Sequence, residues 1–270
     1  MSENAPHQSA DSSVVLVQRD GACATVILNR PEKLNALNAA MWTRVGEVFA
    51  ELDRDESLRC IVFRGAGEKA VGPGADISEF ETVRKDSDQG AAYGAMMHKS
   101  MHAMRACRHP VIARIQGLCV GGALELALMC DLRISGATAR FGVPINKLGL
   151  VMGYPEVEAL VGLVGPAVAL EILYEARVFG ADEAMQKGLL TKVVPDDQLD
   201  AAVAETVARI SAGAPLVNRW HKRFIYRVAG DPSPISAAEG AEGFSCYDTE
   251  DYREGVRAFL AKDAPKFNGK

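Results

Sequence analysis

Glu125 stands three residues beyond the pair Gly121-Gly122, where residues 109–131, HPVIARIQGLCVGGALELALMCD, change character. A carboxylate at that spacing can move a proton beside a group held by backbone N–H donors. Ahead of the glycines, residues 111–115 form a short apolar run whose length and β-branched content suit a buried strand. Behind them, Leu124, Leu126, Leu128 and Met129 follow helical spacing. A strand, a glycine turn and a helix start leave N–H groups free at a positive dipole end. Glycine lets a ligand oxygen approach those donors closely. This layout predicts an oxyanion hole with an adjacent acid/base. A plainer role fits the same spacing, because a Glu in a first helical turn often caps a terminal N–H.

Other chemistry finds less support. Residues 65–76, GAGEKAVGPGAD, form a second glycine-rich loop, but no Gly-Lys-Ser/Thr follows it. No GxGxxG joins a strand to a helix either, so a nucleotide phosphate cradle is not indicated. His98 and His102 can share a helix face, yet no third ligand accompanies them. They read as solvated or packed side chains, and no metal site is expected. Cys23, Cys60, Cys107, Cys119, Cys130 and Cys246 are scattered, with no CxxC pair. Reduced thiols in a cytoplasmic protein fit that pattern. No convincing nucleophilic triad is visible.

These groups need a frame. Residues 14–18 and 23–29 read as strands around an Asp20-Gly21 hairpin turn. Asn38 can cap a helix over residues 39–53. Residues 58–64 read as a buried strand, 77–107 as an interrupted helical region, and 133–135 and 139–142 as short strands. After a loop over 144–153 the pattern is a helix over 155–164 and another starting at Gly165-Pro166. Asp182 is placed as the cap of a helix ending at Lys187-Gly188. A last strand covers 189–194 and an amphipathic helix 199–212. The remainder looks helical, broken at Asp231-Pro232-Ser233-Pro234. Strands alternating with glycine turns and helices argue an α/β fold. The division expected is a lead-in over residues 1–12 that is disordered, a core over 13–212 and a helical segment over 213–270. The lead-in, polar throughout, lacks a signal-peptide pattern.

A formal charge of −5 on 270 residues speaks against a nucleic-acid partner. No uninterrupted apolar stretch of about 18 residues appears, so no membrane partner is expected.

Five blocks in order resemble the enoyl-CoA hydratase/isomerase, or crotonase, superfamily, over nearly the whole chain after the first dozen residues. The first is Asn29-Arg30-Pro31 with Leu34-Asn35-Ala36-Leu37, and the second Gly74-Ala75-Asp76-Ile77. The central block is Pro110-Val111-Ile112-Ala113, Gly117, Gly121-Gly122 and Glu125-Leu126-Ala127. Phe141-Gly142-Val143-Pro144 with Gly149 follows. The last comprises Glu250-Asp251, Glu254-Gly255, Ala258-Phe259 and Pro265-Lys266-Phe267.

The resemblance implies a crotonase-like spiral of ββα units with a helical C-terminal trimerisation segment, hence a homotrimer or dimer of trimers. It implies an acyl-CoA or enoyl-CoA substrate and fatty-acid-type metabolism, with no cofactor beyond the coenzyme A of the substrate itself. The oxyanion-hole amides map to Ala75 and Gly122, and the first catalytic glutamate of the hydratases maps to Glu125. CoA contacts map to Lys33, Leu34, Ala36, Asp76 and Ile77, with Arg30, Lys262 and Lys266 as further cations. The favoured reaction is hydration of an enoyl-CoA, or its reverse. Isomerisation, decarboxylation, hydrolysis, or acyl-CoA binding without turnover are the alternatives.

One departure is informative. The second hydratase glutamate lies one residue after the Pro of the Phe-Gly-x-Pro block, and here that residue is Ile145. Isoleucine cannot transfer a proton. Nearby, Gly153-Tyr154-Pro155-Glu156 replaces a glycine-rich turn, so Tyr154 and Glu156 are candidate substitute acid/base groups, with Glu158 beside them. Each also fits as an ordinary helix-start residue.

Overall fold

A computed structural model describes residues 13–270; the expected lead-in over 1–12 lies outside the described residues. Strands β1 (Val15–Asp20) and β2 (Cys23–Leu28) form a hairpin around Asp20-Gly21. Helix α1 (Ala39–Asp53) starts at Asn38, whose side chain accepts the Met41 N–H at 2.9 Å. Three ββα turns then follow. The first is β3 (Cys60–Gly65), β4 (Ala70–Gly72), α2 (Phe80–Val83) and α3 (Ser87–Ala106). The second is β5 (Val111–Ile115), β6 (Leu118–Val120) and α4 (Gly122–Leu128). The third is β7 (Leu132–Gly136), β8 (Arg140–Gly142) and α5 (Tyr154–Glu175). The chain continues through β9 (Phe179–Gly180), α6 (Ala181–Gln186), β10 (Lys192–Val194) and α7 (Leu199–Ser211). Helices α8 (Pro215–Gly230), α9 (Ala237–Glu242) and α10 (Glu250–Ala261) close it.

Each turn of the spiral gives one strand to each of two sheets. The larger has the order β1-β2-β3-β5-β7-β10 and is parallel from β2 onward. The smaller has the order β4-β6-β8-β9. Strand β5 is buried along its whole length, as parallel strands covered on both faces must be. Its one charge, Arg114, is satisfied by Asp200 at 2.6 Å and Glu68 at 3.0 Å. Trp42, Phe49, Phe63 and Phe141 fill the main core.

Some local expectations need correcting. The very short strands β4, β6 and β9 escape periodicity analysis because two or three residues hold too little pattern. The cap of α6 is Gly180, and Asp182 sits inside the first turn. Helix α5 is, among the described residues, the one helix long and apolar enough to cross a membrane by length and composition. It is divided where the sequence suggests, since Gly165 is non-helical at φ 74°, ψ 166°.

Two polar joints, one buried and one half-buried, hold the spiral to its neighbours. Asn35 donates to the carbonyls of Ala66 and Ala70 at 3.0 and 2.8 Å and accepts the Arg30 N–H at 3.0 Å. Asp131 accepts from the Val111 N–H, Tyr226 Oη and Lys222 Nζ, so α8 is anchored beside the central strand. Farther along, the C-terminal helices leave Phe244, Phe259 and Leu260 largely exposed.

Candidate active site

Strand β6 ends at Val120, and the chain turns on Gly121 at φ 53°, ψ −128°. That region is closed to residues with a Cβ, so the turn requires glycine. The turn makes Gly122 the first residue of α4, whose N–H has no carbonyl one turn earlier to bond. On the facing loop, Gly74 also has a positive φ of 112°. Leu37 pairs with Ala75 in a parallel bridge, giving its N–H to the Gly74 carbonyl and accepting the Asp76 N–H, both at 2.8 Å. In such a bridge the N–H of Ala75 itself points to the other side. Neither the Ala75 nor the Gly122 N–H has a protein acceptor among the described residues. Both residues line one cavity of about 640 Å³, a size suited to a small-molecule ligand.

Glu125 enters that cavity from the first turn of α4 and is 6% exposed. Its carboxylate makes no hydrogen bond to protein among the described residues, so the capping role is not what holds it. Burial pushes its pKa up to about 8, and the nearby Glu156 carboxylate adds to the rise while Arg84 opposes it. A carboxyl group in that state can carry a proton at neutral pH and release it to a partner.

Of the polar groups at the start of α5, only Glu156 turns inward. It is 3% exposed, whereas Tyr154 is 93% exposed and Glu158 is exposed as well. Glu156 shares a helical face with buried Ala159 and Leu160, three and four residues on. Tyr154 is therefore separated from the cavity. Ile145 lines the cavity from the short helical segment Pro144–Leu148.

The third wall is α3. Gly90, Tyr93, Gly94, Met97 and His98 recur at helical spacing and all face the cavity. His98 approaches Glu156, Nε2 to Oε1 at 3.2 Å. From spacing alone His98 is a packed or solvated side chain; the fold makes it a neighbour of Glu156. Its partner lies 58 residues away, and only the 90-94-97-98 stripe could have hinted at the face. No metal-binding group of His, Cys, Asp and Glu forms among the described residues.

The expected CoA contacts divide. Ile77 lines the cavity and is 63% exposed. Lys33, Leu34, Ala36 and Asp76 belong to the two segments joined by the Leu37–Ala75 bridge, outside the cavity lining. Arg30 bonds the Ala36 carbonyl at 2.7 Å and the Asp76 carboxylate at 2.9 Å, so its charge is already paired. The Ser78 hydroxyl, then Arg30, hold the Asp76 carboxyl below the usual range.

Residues 18–270 match the profile of the enoyl-CoA hydratase/isomerase family. A short-chain-enoyl-CoA hydratase of Clostridium acetobutylicum is 33% identical, over 92% of this chain and 95% of its own. A crotonyl-CoA hydratase of Syntrophomonas wolfei is 31% identical, over 95% and 98%. Among solved structures, an enoyl-CoA hydratase/carnithine racemase from Magnetospirillum magneticum superposes with a TM-score of 0.94. It is 52% identical, with 95% of this chain and 96% of that one covered.

Proposed function

The chain belongs to the enoyl-CoA hydratase/isomerase family and has its crotonase fold, and from that premise we propose that it hydrates an enoyl-CoA thioester, or runs the reverse dehydration. The observation that carries this reading is the buried Glu125 carboxylate, unbonded among the described residues, in the same cavity as two N–H groups that have no acceptor among them. The Ala75 and Gly122 amides bind the thioester oxygen as it gains enolate charge. One such preorganised donor is worth about 3 kcal/mol of barrier. Glu125 moves the proton, a role worth about 10²–10⁴-fold in rate.

The proposal extends to the rest of the protein. Coenzyme A is part of the substrate and no further cofactor takes part. Its adenine end lies along Lys33, Leu34, Ala36, Asp76 and Ile77. The protein works in the cytoplasm as a homotrimer or dimer of trimers, with the exposed aromatic residues of the C-terminal helices in its contacts. Ile145 is the observation on the side of a second reading, acyl-CoA binding without turnover. A pure binder has no need of a buried carboxyl group whose ionisation is unfavourable, which weighs against it.

The deciding experiment follows crotonyl-CoA and longer enoyl-CoAs by loss of the conjugated thioester absorbance. Glu125→Gln is expected to abolish turnover while acyl-CoA binding persists. A Glu125→Gln protein with undiminished turnover would remove Glu125 from the mechanism.

A further inference from the structure

The hydratase reading supplies one proton-transfer group, yet adding water needs two events: a base takes a proton from water and an acid gives one to carbon. Ile145 can do neither. Elsewhere in the cavity lining, Glu156 is 3% exposed and one of its oxygens, Oε2, has no hydrogen-bond partner among the described residues. The other, Oε1, meets His98 Nε2 at 3.2 Å. Both residues line the cavity that holds Glu125.

Resting on the hydratase reading, we propose that Glu156, oriented by His98, is the second proton-transfer group of this site. Glu156 is the catalytic base and His98 its positioning residue.

Three observations argue for this over a structural tie between α3 and α5. First, a structural pair would satisfy both carboxylate oxygens, because a buried carboxylate oxygen left unpaired is costly. An Oε2 that is buried and unpaired on a residue lining the cavity makes sense if it takes up a water during the reaction. Second, the space is kept clear by Gly153. A Cβ on Gly153 would lie 2.6 Å from Glu156 Oε2 and 2.9 Å from His98 Nε2, closer than real contacts allow. Gly153 has an ordinary φ of −70°, so it is the room and not the backbone conformation that calls for glycine. Third, the Glu156 carboxylate lies near enough to Glu125 to add to the rise of its carboxyl, to about 8, so Glu125 favours the protonated form that can give a proton to carbon.

The step balances. A water O–H proton passes to Glu156 Oε2 as the water oxygen bonds the β-carbon. The π pair of the double bond moves toward the thioester carbonyl, and the enolate oxygen is held by the Ala75 and Gly122 N–H groups. Glu125 then gives its proton to the α-carbon as the enolate collapses. Proton transfer from Glu156 back to Glu125 through water restores the starting state. His98 acts through Glu156: with its ring N–H on Oε1, the free oxygen faces the water.

The test uses the full-length protein and two readouts. Hydration of crotonyl-CoA needs both carboxyl groups, whereas exchange of the α-protons of butyryl-CoA in D₂O needs Glu125 and the amides alone. Glu156→Gln is expected to lose about 10²–10⁴-fold in hydration while keeping exchange; Glu125→Gln loses both. His98→Gln is expected to lower hydration less and to displace the acid limb of the kcat/KM profile. The other charged groups facing the cavity, Glu125, Arg84, Asp86 and Lys147, are unchanged in that variant. Gly153→Ala, which wedges the pair apart without altering either side chain, is expected to copy the loss of hydration with exchange retained. Wild-type hydration by Glu156→Gln, or an unmoved pH profile in His98→Gln, overturns the proposal. A wild-type protein that exchanges α-protons but hydrates no enoyl-CoA overturns instead the reading on which it rests.

Discussion

Gly74 and Gly121 touch across the mouth of the cavity. A Cβ on Gly121 would lie 3.4 Å from Gly74 Cα, and one on Gly74 would lie 3.7 Å from Gly121 Cα. Two loops from different turns of the spiral therefore meet backbone to backbone. The residues that follow them, Ala75 and Gly122, line the same cavity.

Gly121→Ala is expected to lower kcat/KM by about 10²–10³-fold, the scale of losing one preorganised donor. The residue would be forced from φ 53°, ψ −128°, at a stability cost of about 1–3 kcal/mol. Steady-state kinetics with denaturant unfolding of the same protein checks both. Full activity with the strained backbone would show that the aim of the Gly122 amide is irrelevant.

Glu125 should leave a signature in stability against pH. Its carboxyl is raised in the folded state to about 8 from an ordinary value near 4.5. The folded state thus holds a proton that the unfolded state releases between those limits. The associated stability is complete below about pH 4.5 and is lost as pH rises through 8, at up to about 1.4 kcal/mol per pH unit. Subtracting the unfolding free energy of Glu125→Gln from that of the wild type at each pH isolates this slope. A flat difference across the window would contradict the buried, protonated carboxyl.

His109 works in the opposite direction. Burial lowers its imidazole to about 4 from an ordinary value of 6.5, and the nearby Arg219 charge adds to the fall. The unfolded chain binds the proton first, so stability is present above about pH 6.5 and is lost as pH falls through 4. His109→Leu is expected to flatten the acid limb of stability between those values. Retention of the wild-type slope would assign the acid sensitivity to other groups.

Asn35 separates two energies. Its side chain makes three hydrogen bonds, and its backbone φ is 64°. Asn35→Ala loses the bonds and strains the backbone, for an expected cost of about 3–5 kcal/mol. Asn35→Gly loses the same bonds but tolerates the conformation, so it should recover about 1 kcal/mol. Chemical denaturation of the pair measures the difference; Ala as stable as Gly would rule out the backbone contribution.

The C-terminal helices carry the oligomer prediction. Phe259 is 84% exposed and Leu260 is 76% exposed on α10. Static light scattering is expected to give three or six copies. Phe259→Glu with Leu260→Glu is expected to shift the mass toward a single chain. A wild-type protein that is monomeric at micromolar concentration would refute the assembly.

Much of the frame was legible because it is written locally. The β1–β2 turn, the Asn38 cap, the buried strand over 111–115 and the break at Gly165 each depend on a few adjacent residues. So does the glycine turn that sets Glu125 three residues behind a free N–H, since backbone freedom and helical spacing are properties of the residues themselves. The loss of an acid at Ile145 was equally plain. What replaces it was not. Tyr154, Glu156 and Glu158 are equally polar in the sequence, and packing of Ala159 and Leu160 into the core turned only Glu156 inward. Its partner His98 comes from a helix 58 residues earlier, brought alongside by the fold. The raised carboxyl of Glu125 has the same origin. Residue types and their spacing specify which groups can carry protons and which backbones can bend. Tertiary packing alone decided which of them are stripped of water and face one another, because desolvation and charge coupling depend on distance in space and not along the chain.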